Sequence, residues 1–336
     1  MRVLVAPDKF AGTLTAAEAA RAIRDGWLTN RPGDTVDIAP LSDGGPGFVD
    51  ALHAGLGGSL HALTVTGPLG QPTPAALLLV SGDGGATAYV ESAQACGVAL
   101  LPRAADGRRP EPDIVERASS LGVGELVSAA LGAGADTIVV GLGGSGTNDG
   151  GAGLLAALGA TSDPDGSLAL GATALGTLTA VDIAPVRRRV GNVRLVAASD
   201  VTNPLLGLRG ATNVYGPQKG LSQERLFVVD GALSAFAHLL DRDAADVPGA
   251  GAAGGLGYAL TVLGGEHRPG LDVVASASLF TDRLDEADLV LTGEGALDPQ
   301  TFTGKVVHGV ATRAGERGVP CVALAGRVDV GIRELR

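Results

Sequence analysis

The sequence predicts an α/β protein of two domains, and three observations carry that expectation. Short apolar runs alternate with segments of helical periodicity, the habit of a parallel sheet covered by helices. The 336 residues, 45% of them hydrophobic and 18% charged, suffice for a full core and are long for one domain. The 53 glycines are about twice the usual share of roughly 7%. They show no fixed period and come without high proline, so they belong to loops rather than to a collagen-like or low-complexity tract.

Taken in order, residues 2–6 form a first buried strand. Thr15 with Glu18 three residues later makes a capping box, and Ala19, Ala20, Ile23 and Trp27 give the following helix its apolar face. Residues 36–39 read as a second strand. Between Leu60 and Glu91 the texture changes to alternating segments broken by GPLGQ and SGDGG, a hairpin pattern. Strands are expected again at 137–140 and 193–198, and the βα rhythm resumes with a strand at 287–292, a helix over 305–317 and a strand at 319–325. The expected organisation is one discontinuous domain, residues 1–62 and 285–336, carrying a second domain, residues 63–284, as an insertion. The chain stops soon after the last strand, so the first domain is expected to lack a closing helix or strand.

A net charge of -11 and 3% aromatic residues leave neither the basic stripe nor the stacking platform that nucleic-acid binding requires. Nowhere do about eighteen apolar residues run together, and the N-terminal apolar run breaks at Pro7 and Asp8. A cytoplasmic protein with no membrane partner is expected. Cys96 and Cys321 stand without cysteine or histidine at ligand spacing, so each is expected to be a small buried apolar residue. None of the five histidines pairs with a serine or cysteine nucleophile.

Only three of the 25 lysine and arginine residues are lysines, and each sits in a glycine-rich stretch: Lys9 in APDKFAGT, Lys219 in YGPQKG and Lys305 in FTGKV. A compact ammonium follows a transferring phosphoryl group as a point charge, which a planar guanidinium does less well. Five loops that follow strands carry the chemistry, where open α/β sheets place their ligands. In APDKFAGTLT, Asp8 and Lys9 precede a helix N-terminus suited to an anion. In PLSDGGPG, Asp43 stands at a strand end with Gly44 beside it. In GLGGSGTNDGGAG, Gly143, Gly144, Ser145, Thr147 and Asn148 offer short hydrogen-bonding groups suited to a small hydroxylated acid, and Asp149 could accept a proton or bind a metal. In ASDVTNPLLG, Asp200 at a strand end is a candidate base or magnesium ligand, with Asn203 three residues on. In LTGEGALDPQTFTGKV, Gly293, Glu294, Asp298 and Lys305 resemble a site for magnesium and nucleotide phosphates, although Pro299 and Val306 break the Walker A pattern. The third loop also matches G-x-G-x-x-G at Gly141, Gly143 and Gly146, which keeps an NAD-dependent oxidoreductase open as an alternative. A second match at Gly249, Gly251 and Gly254 follows no strand, which shows how cheaply the pattern arises in this chain.

The ordered set APDKFAGTLTA, DGGPG, VTGPLGQ, VGELV, GLGGSGTNDGGAG, ASDVTNPLLG, GATNVYGPQKG, GAGAAGGLGYAL and LTGEGALDPQTFTGK resembles the bacterial glycerate kinase family, from residue 3 to about 326. The resemblance implies a flavodoxin-like domain with an inserted second α/β domain. It also implies transfer of the ATP γ-phosphate to D-glycerate with Mg2+, giving 2-phosphoglycerate in preference to 3-phosphoglycerate, by a monomer or homodimer. In that frame Asp200 or Asp149 activates or orients the glycerate hydroxyl, Lys9, Lys219 and Lys305 neutralise phosphoryl charge, and Asp200, Glu294 and Asp298 hold the metal. The chain departs from the family pattern at Ala11 and Ala296, where lysine and arginine are usual, and at Pro46 and Phe48, where glutamate and threonine are usual. Those departures motivate a second alternative, a catalytically impaired glycerate-binding relic.

Overall fold

The computed structural model describes residues 1–82, 84–104, 107, 110–299, 301 and 305–331. Its strands are β1 (Arg2–Val5), β2 (Thr35–Ile38), β3 (Ser59–Thr66), β4 (Pro72–Gly82), β5 (Gly85–Glu91), β6 (Thr137–Gly141), β7 (Thr161–Asp163), β8 (Ala180–Asp182), β9 (Arg194–Ala198), β10 (Glu266–Arg268), β11 (Leu289–Leu297) and β12 (Cys321–Val328). The chain divides into two compact units, residues 1–57 with 269–336 and residues 58–268. Residues 269–284, grouped with the insertion by the strand-and-helix rhythm, form the helices Gly270–Ala277 and Phe280–Asp285 within the first unit.

The first unit is built on a four-stranded sheet in the order β12-β11-β1-β2, parallel throughout. Counting only its own strands, the order is 2-1-3-4, the arrangement of flavodoxin-like sheets, in which ligands bind where the order reverses at the carboxyl ends of the first and third strands. Here those strands are β1 and β11. Val3, Val5 and Leu291 on the sheet pack with Ala20 of the helix Ala16–Asn30, with Ile23 and Trp27 lying partly buried against them. That helix starts where the sequence places it. The Thr15 hydroxyl accepts from the Glu18 N–H at 3.2 Å and the Glu18 carboxylate accepts from the Thr15 N–H at 2.9 Å.

The second unit carries a six-stranded mixed sheet, β10-β9-β6-β5-β4-β3. β5, β6, β9 and β10 run parallel, while β4 pairs antiparallel with β3 and with β5, the hairpin pattern announced by GPLGQ and SGDGG. Its core joins Val90, Ile138 and Val140 of the sheet to Val123 and Leu126 of the helix Leu121–Gly132 and to Leu154 and Leu155 of the helix Ala152–Ala157. Gly124 lets those helices meet closely, since a Cβ there would lie 2.5 Å from the Leu154 carbonyl oxygen. Cys96 is buried in this core, and desolvation pushes its thiol up to about 12; Cys321 is half-buried at the start of β12. No helix among the described residues is long and apolar enough to cross a membrane.

Candidate active site

The loops singled out in the sequence gather around two pockets, one in each unit. The first, about 600 Å³, opens at the carboxyl ends of β1 and β11 and is lined by Asp8, Lys9, Asp43, Glu294, Asp298 and Lys305, with Ala11, Ala296 and Arg327 on its walls. Asp8 leaves β1 with its N–H donating to the Gly293 carbonyl at 2.8 Å, so Gly293 acts through its backbone in setting where Asp8 stands. Asp8 is 5% exposed. Its carboxylate accepts the Lys9 backbone N–H at 2.7 Å, and the Lys9 ammonium lies 3.6 Å away. Burial above all, with the nearby charges of Asp43 and Glu294, pushes the Asp8 carboxyl up to about 6 against the pull of Lys9. Asp43 accepts the Gly45 N–H at 3.0 Å in a turn where Gly44 has a φ of 89°, a conformation a side chain would resist.

Across the same pocket the Lys305 ammonium is 3.7 Å from Glu294 and 3.4 Å from Asp298. Thr301, absent from the sequence-based set, fixes both acids: its hydroxyl donates to Glu294 at 2.7 Å and accepts the Asp298 N–H at 3.1 Å, while its own N–H donates to Asp298 at 3.2 Å. The spacing Asp298-x-x-Thr301 was the available signal, since short polar side chains three apart close such turns. Residues 302–304 of the FTGKV stretch lie outside the described residues. Arg327 is a further residue the sequence did not flag; it stands opposite Ala296 in the β11–β12 register.

The second pocket, about 440 Å³, is lined by Gly143, Gly144, Ser145, Ser199, Lys219 and Tyr215 among others. The Lys219 ammonium, on the short helical turn Pro217–Lys219, donates to the Ser145 hydroxyl at 3.0 Å and to the Thr147 carbonyl at 2.7 Å. Desolvation holds it below the usual lysine range, at about 8. Thr147 and Asn148 are buried and are not among the pocket's lining residues, with the Asn148 amide donating to Thr212 at 2.9 Å. Asp200 is half-buried between two residues of the pocket wall, Ser199 and Val201. Asn203 accepts the Tyr215 hydroxyl at 2.7 Å and donates to the Arg209 carbonyl at 2.8 Å, which ties its own loop together.

Asp149 does something the sequence did not suggest. It is 0% exposed, and its carboxylate accepts four hydrogen bonds, from the Ser120 N–H (2.7 Å) and hydroxyl (2.8 Å), the Gly151 N–H (3.1 Å) and the Gly153 N–H (3.3 Å). The helix Ala152–Ala157 therefore has its anion-seeking N-terminus filled by the chain's own carboxylate, where a dinucleotide reading would need a pyrophosphate. The second G-x-G-x-x-G match is packing. A Cβ at Gly254 would lie 2.0 Å from the Thr147 carbonyl oxygen, so the stretch around 249–255 must be small to sit against the 147–151 loop.

The expected metal set divides between the units, with Glu294 and Asp298 in the first pocket and Asp200 in the second unit. Among the described residues no three His, Cys, Asp or Glu side chains converge as a self-sufficient metal centre. Two carboxylates and hydroxyl oxygen do fit magnesium, which keeps most of its waters and binds through one or two carboxylates with substrate phosphates. A buried Asp8 whose ionisation is opposed by the charges of Asp43 and Glu294 is also the kind of surrounding a divalent cation relieves.

A family model described as the glycerate kinase family matches residues 3–336. A glycerate kinase of Bacillus subtilis (strain 168) is 42% identical over 336 residues, covering 98% of this chain and 86% of that protein. A glycerate 2-kinase of Escherichia coli (strain K12) is 41% identical over 341 residues, covering 99% and 87%. A crystal structure from Salmonella typhimurium LT2, assigned as glycerate kinase 2, superposes with a TM-score of 0.82 at 39% identity, covering 97% of this chain and 87% of that one. With the sheet orders, the pocket at the β1–β11 reversal and a match that runs along nearly all its length, the chain belongs to the glycerate kinase family.

Proposed function

We propose that this protein is an ATP-dependent kinase that transfers the γ-phosphoryl group to D-glycerate, giving 2-phosphoglycerate and ADP. The observation that carries phosphoryl transfer is the first pocket, where two lysines and paired carboxylates meet at the topological switch point of a parallel sheet. Phosphoryl transfer depends on positioning and charge neutralisation more than on covalent help from the protein, and that is the chemistry these groups offer. The acceptor and the 2-position are supported by the relatives named as a glycerate kinase and a glycerate 2-kinase.

In this reading Lys9 and Lys305 bear on the phosphate chain, and Glu294 and Asp298, held by Thr301, are the magnesium ligands. Magnesium, when bound, neutralises charge on the phosphate oxygens. Asp43 closes the same pocket, and Asp200 orients the acceptor hydroxyl. Asp149, with its four hydrogen bonds and no place on the pocket wall, is assigned to holding its loop on the helix rather than to the reaction. The NAD-dependent alternative loses its pyrophosphate site to that same carboxylate.

The test is a coupled assay for ADP formation from Mg-ATP and D-glycerate, with the product read by an enzyme specific for 2-phosphoglycerate. Turnover to that product is expected. Binding of glycerate without turnover would replace the proposal with the relic reading, and stabilisation by NAD but not by Mg-ATP would replace it with the oxidoreductase.

A further inference from the structure

Lys219 is 5% exposed, and among the described residues no carboxylate lies within ion-pair distance of it. A buried ammonium without a close counter-ion is expensive. Two of its three N–H groups are spent on the Ser145 hydroxyl and the Thr147 carbonyl; the third has no acceptor among the described residues, and Lys219 lines the second pocket. The backbone beside it is similarly open. The N–H groups of Gly143, Gly144 and Ser145 have no acceptor among the described residues, although the neighbouring Leu142 and Gly146 N–H groups donate to the Ala198 and Cys96 carbonyls. Gly144 has a φ of 75°, and successive N–H groups around a left-handed residue form a concavity that takes an anion. All three residues line the pocket, as does the cationic Arg103.

We propose that the second pocket is an oxyanion receptor in which the N–H groups of residues 143–145 and the Lys219 ammonium hold the carboxylate of the small hydroxy acid substrate. This rests on the kinase reading above and gives that reading its acid-binding residues. A nucleotide phosphate is the other oxyanion available, and the lining decides between them. Magnesium accompanies nucleotide phosphates and asks for carboxylate ligands; this pocket has no Asp or Glu among its described lining residues and a single acid, Asp200, between the lining residues Ser199 and Val201, whereas the first pocket has four on its walls. Lys219 is thus a positioning residue for the acid and, unlike Lys9 and Lys305, is not assigned to phosphoryl charge.

The groups whose charge bears on Lys219 are the Cys96 thiol and the Asp149 carboxylate, and Arg103 lines the same pocket. Cys96 stays protonated throughout the working range, burial pushes the Asp149 carboxyl up against the pull of its four hydrogen bonds, Arg103 stays charged, and the group that burial brings down toward neutrality is Lys219. Its protonated form is the one that binds. The KM for D-glycerate is expected to climb as pH passes about 8, while the KM for Mg-ATP does not follow it.

The experiment is calorimetric titration of D-glycerate into the nucleotide-free native protein and into Lys219→Met, with Mg-ATP titrated in parallel. Losing a charged hydrogen bond from a dry site is expected to weaken glycerate on the order of ten- to a hundred-fold and to leave Mg-ATP within about two-fold. D-Glyceramide, which keeps both hydroxyls and lacks the charge, is expected to bind the native protein at least about ten-fold more weakly than D-glycerate. That comparison decides the matter alone if Lys219→Met does not fold. Glycerate affinity unchanged in Lys219→Met, or an amide that binds as well as the acid, overturns the proposal; loss of Mg-ATP with glycerate intact moves the anion to the nucleotide and overturns it too. If the native protein phosphorylates a different hydroxy acid and not D-glycerate, and binding of that acid depends on Lys219, the glycerate reading falls and the receptor stands.

Discussion

The two pockets meet the problem of binding anions by opposite means. The first sets charge against charge: Lys9 and Lys305 are each held within 4.0 Å of a carboxylate, and the charges of Asp43 and Glu294 add to the cost of ionising the buried Asp8. The second uses one buried ammonium and a row of open backbone N–H groups, with Asp149, whose charge acts on that ammonium, turned into a structural bracket. Charged networks of the first kind can be rebalanced by a metal and a substrate, which suits a site where charge moves. Fixed dipoles of the second kind recognise a charge that stays put. The difference predicts that substitutions in the first pocket are felt in turnover, and those around the second in affinity and stability.

The largest effect expected from that contrast is at Lys305. Its side chain is 26% exposed, so Lys305→Ala should cost little stability, yet it removes a cation facing the transferring charge. Turnover should fall by roughly a hundred- to a thousand-fold, about 3–4 kcal/mol in the barrier, with the far-ultraviolet spectrum and melting temperature nearly unchanged. Steady-state kinetics check this. Unchanged kcat would detach the first pocket from the reaction.

Asp149 is the complementary case. Asp149→Ala leaves the N–H groups of Ser120, Gly151 and Gly153 unpaired in a dry interior, each worth about 1–3 kcal/mol. A melting temperature lower by several degrees or more is expected, and whatever folds should retain kcat within about ten-fold, the outcome foreign to a general base. A stable protein with turnover lost by a thousand-fold or more would return Asp149 to the chemistry.

These two residues also show how far the sequence could be read. The first strand, its capping box and the antiparallel excursion were legible because each is encoded within about ten residues by apolar runs, capping spacing and turn chemistry. The three lysines were legible because they are rare, and the structure brings all three to a pocket wall. Asp149 was not legible as a bracket, since two of its four hydrogen bonds come from Ser120, distant in the sequence at the start of another helix. The helices at 270–285 carried no mark of belonging to the first unit, because membership is set by long-range packing. Thr301 was hidden in a turn whose polar residues read equally well as surface.

A smaller effect separates the pockets by pH. Burial pushes the Asp8 carboxyl from its ordinary 3.8 up to about 6, so between about pH 4 and 6 the folded protein holds a proton that the unfolded chain has lost. Stability from this group therefore falls as pH rises through that window. Lys219 titrates at about 8 against 10.5, so between those values the unfolded chain binds the extra proton, and stability rises with pH. Activity should show the matching limbs: kcat/KM for Mg-ATP falls below about pH 6 as Asp8 protonates, and the glycerate term weakens above about 8. Asp8→Asn should remove the acid limb and leave the alkaline one. Loss of both limbs in that variant would mean that the two groups are not independent.

The mildest test concerns the bare walls of the first pocket. Ala11 and Ala296 both line it, and Arg327 stands in register with Ala296. Ala11 is exposed, so a lysine there fits without displacing core atoms. Ala11→Lys adds a cation to a pocket whose lining holds four carboxylates against Lys9, Lys305 and Arg327. Because the new charge is solvated, the gain should be about 0.5–1 kcal/mol, a two- to five-fold lower KM for Mg-ATP that shrinks as salt is raised. The KM for D-glycerate should not change, since its receptor is assigned to the other unit. A fall in the glycerate KM without one for Mg-ATP would reverse the assignment of the two pockets. A fall in both would show that the first pocket responds to anions without discrimination, and that the contrast between its mobile charges and the fixed dipoles of the second is one of strength rather than of kind.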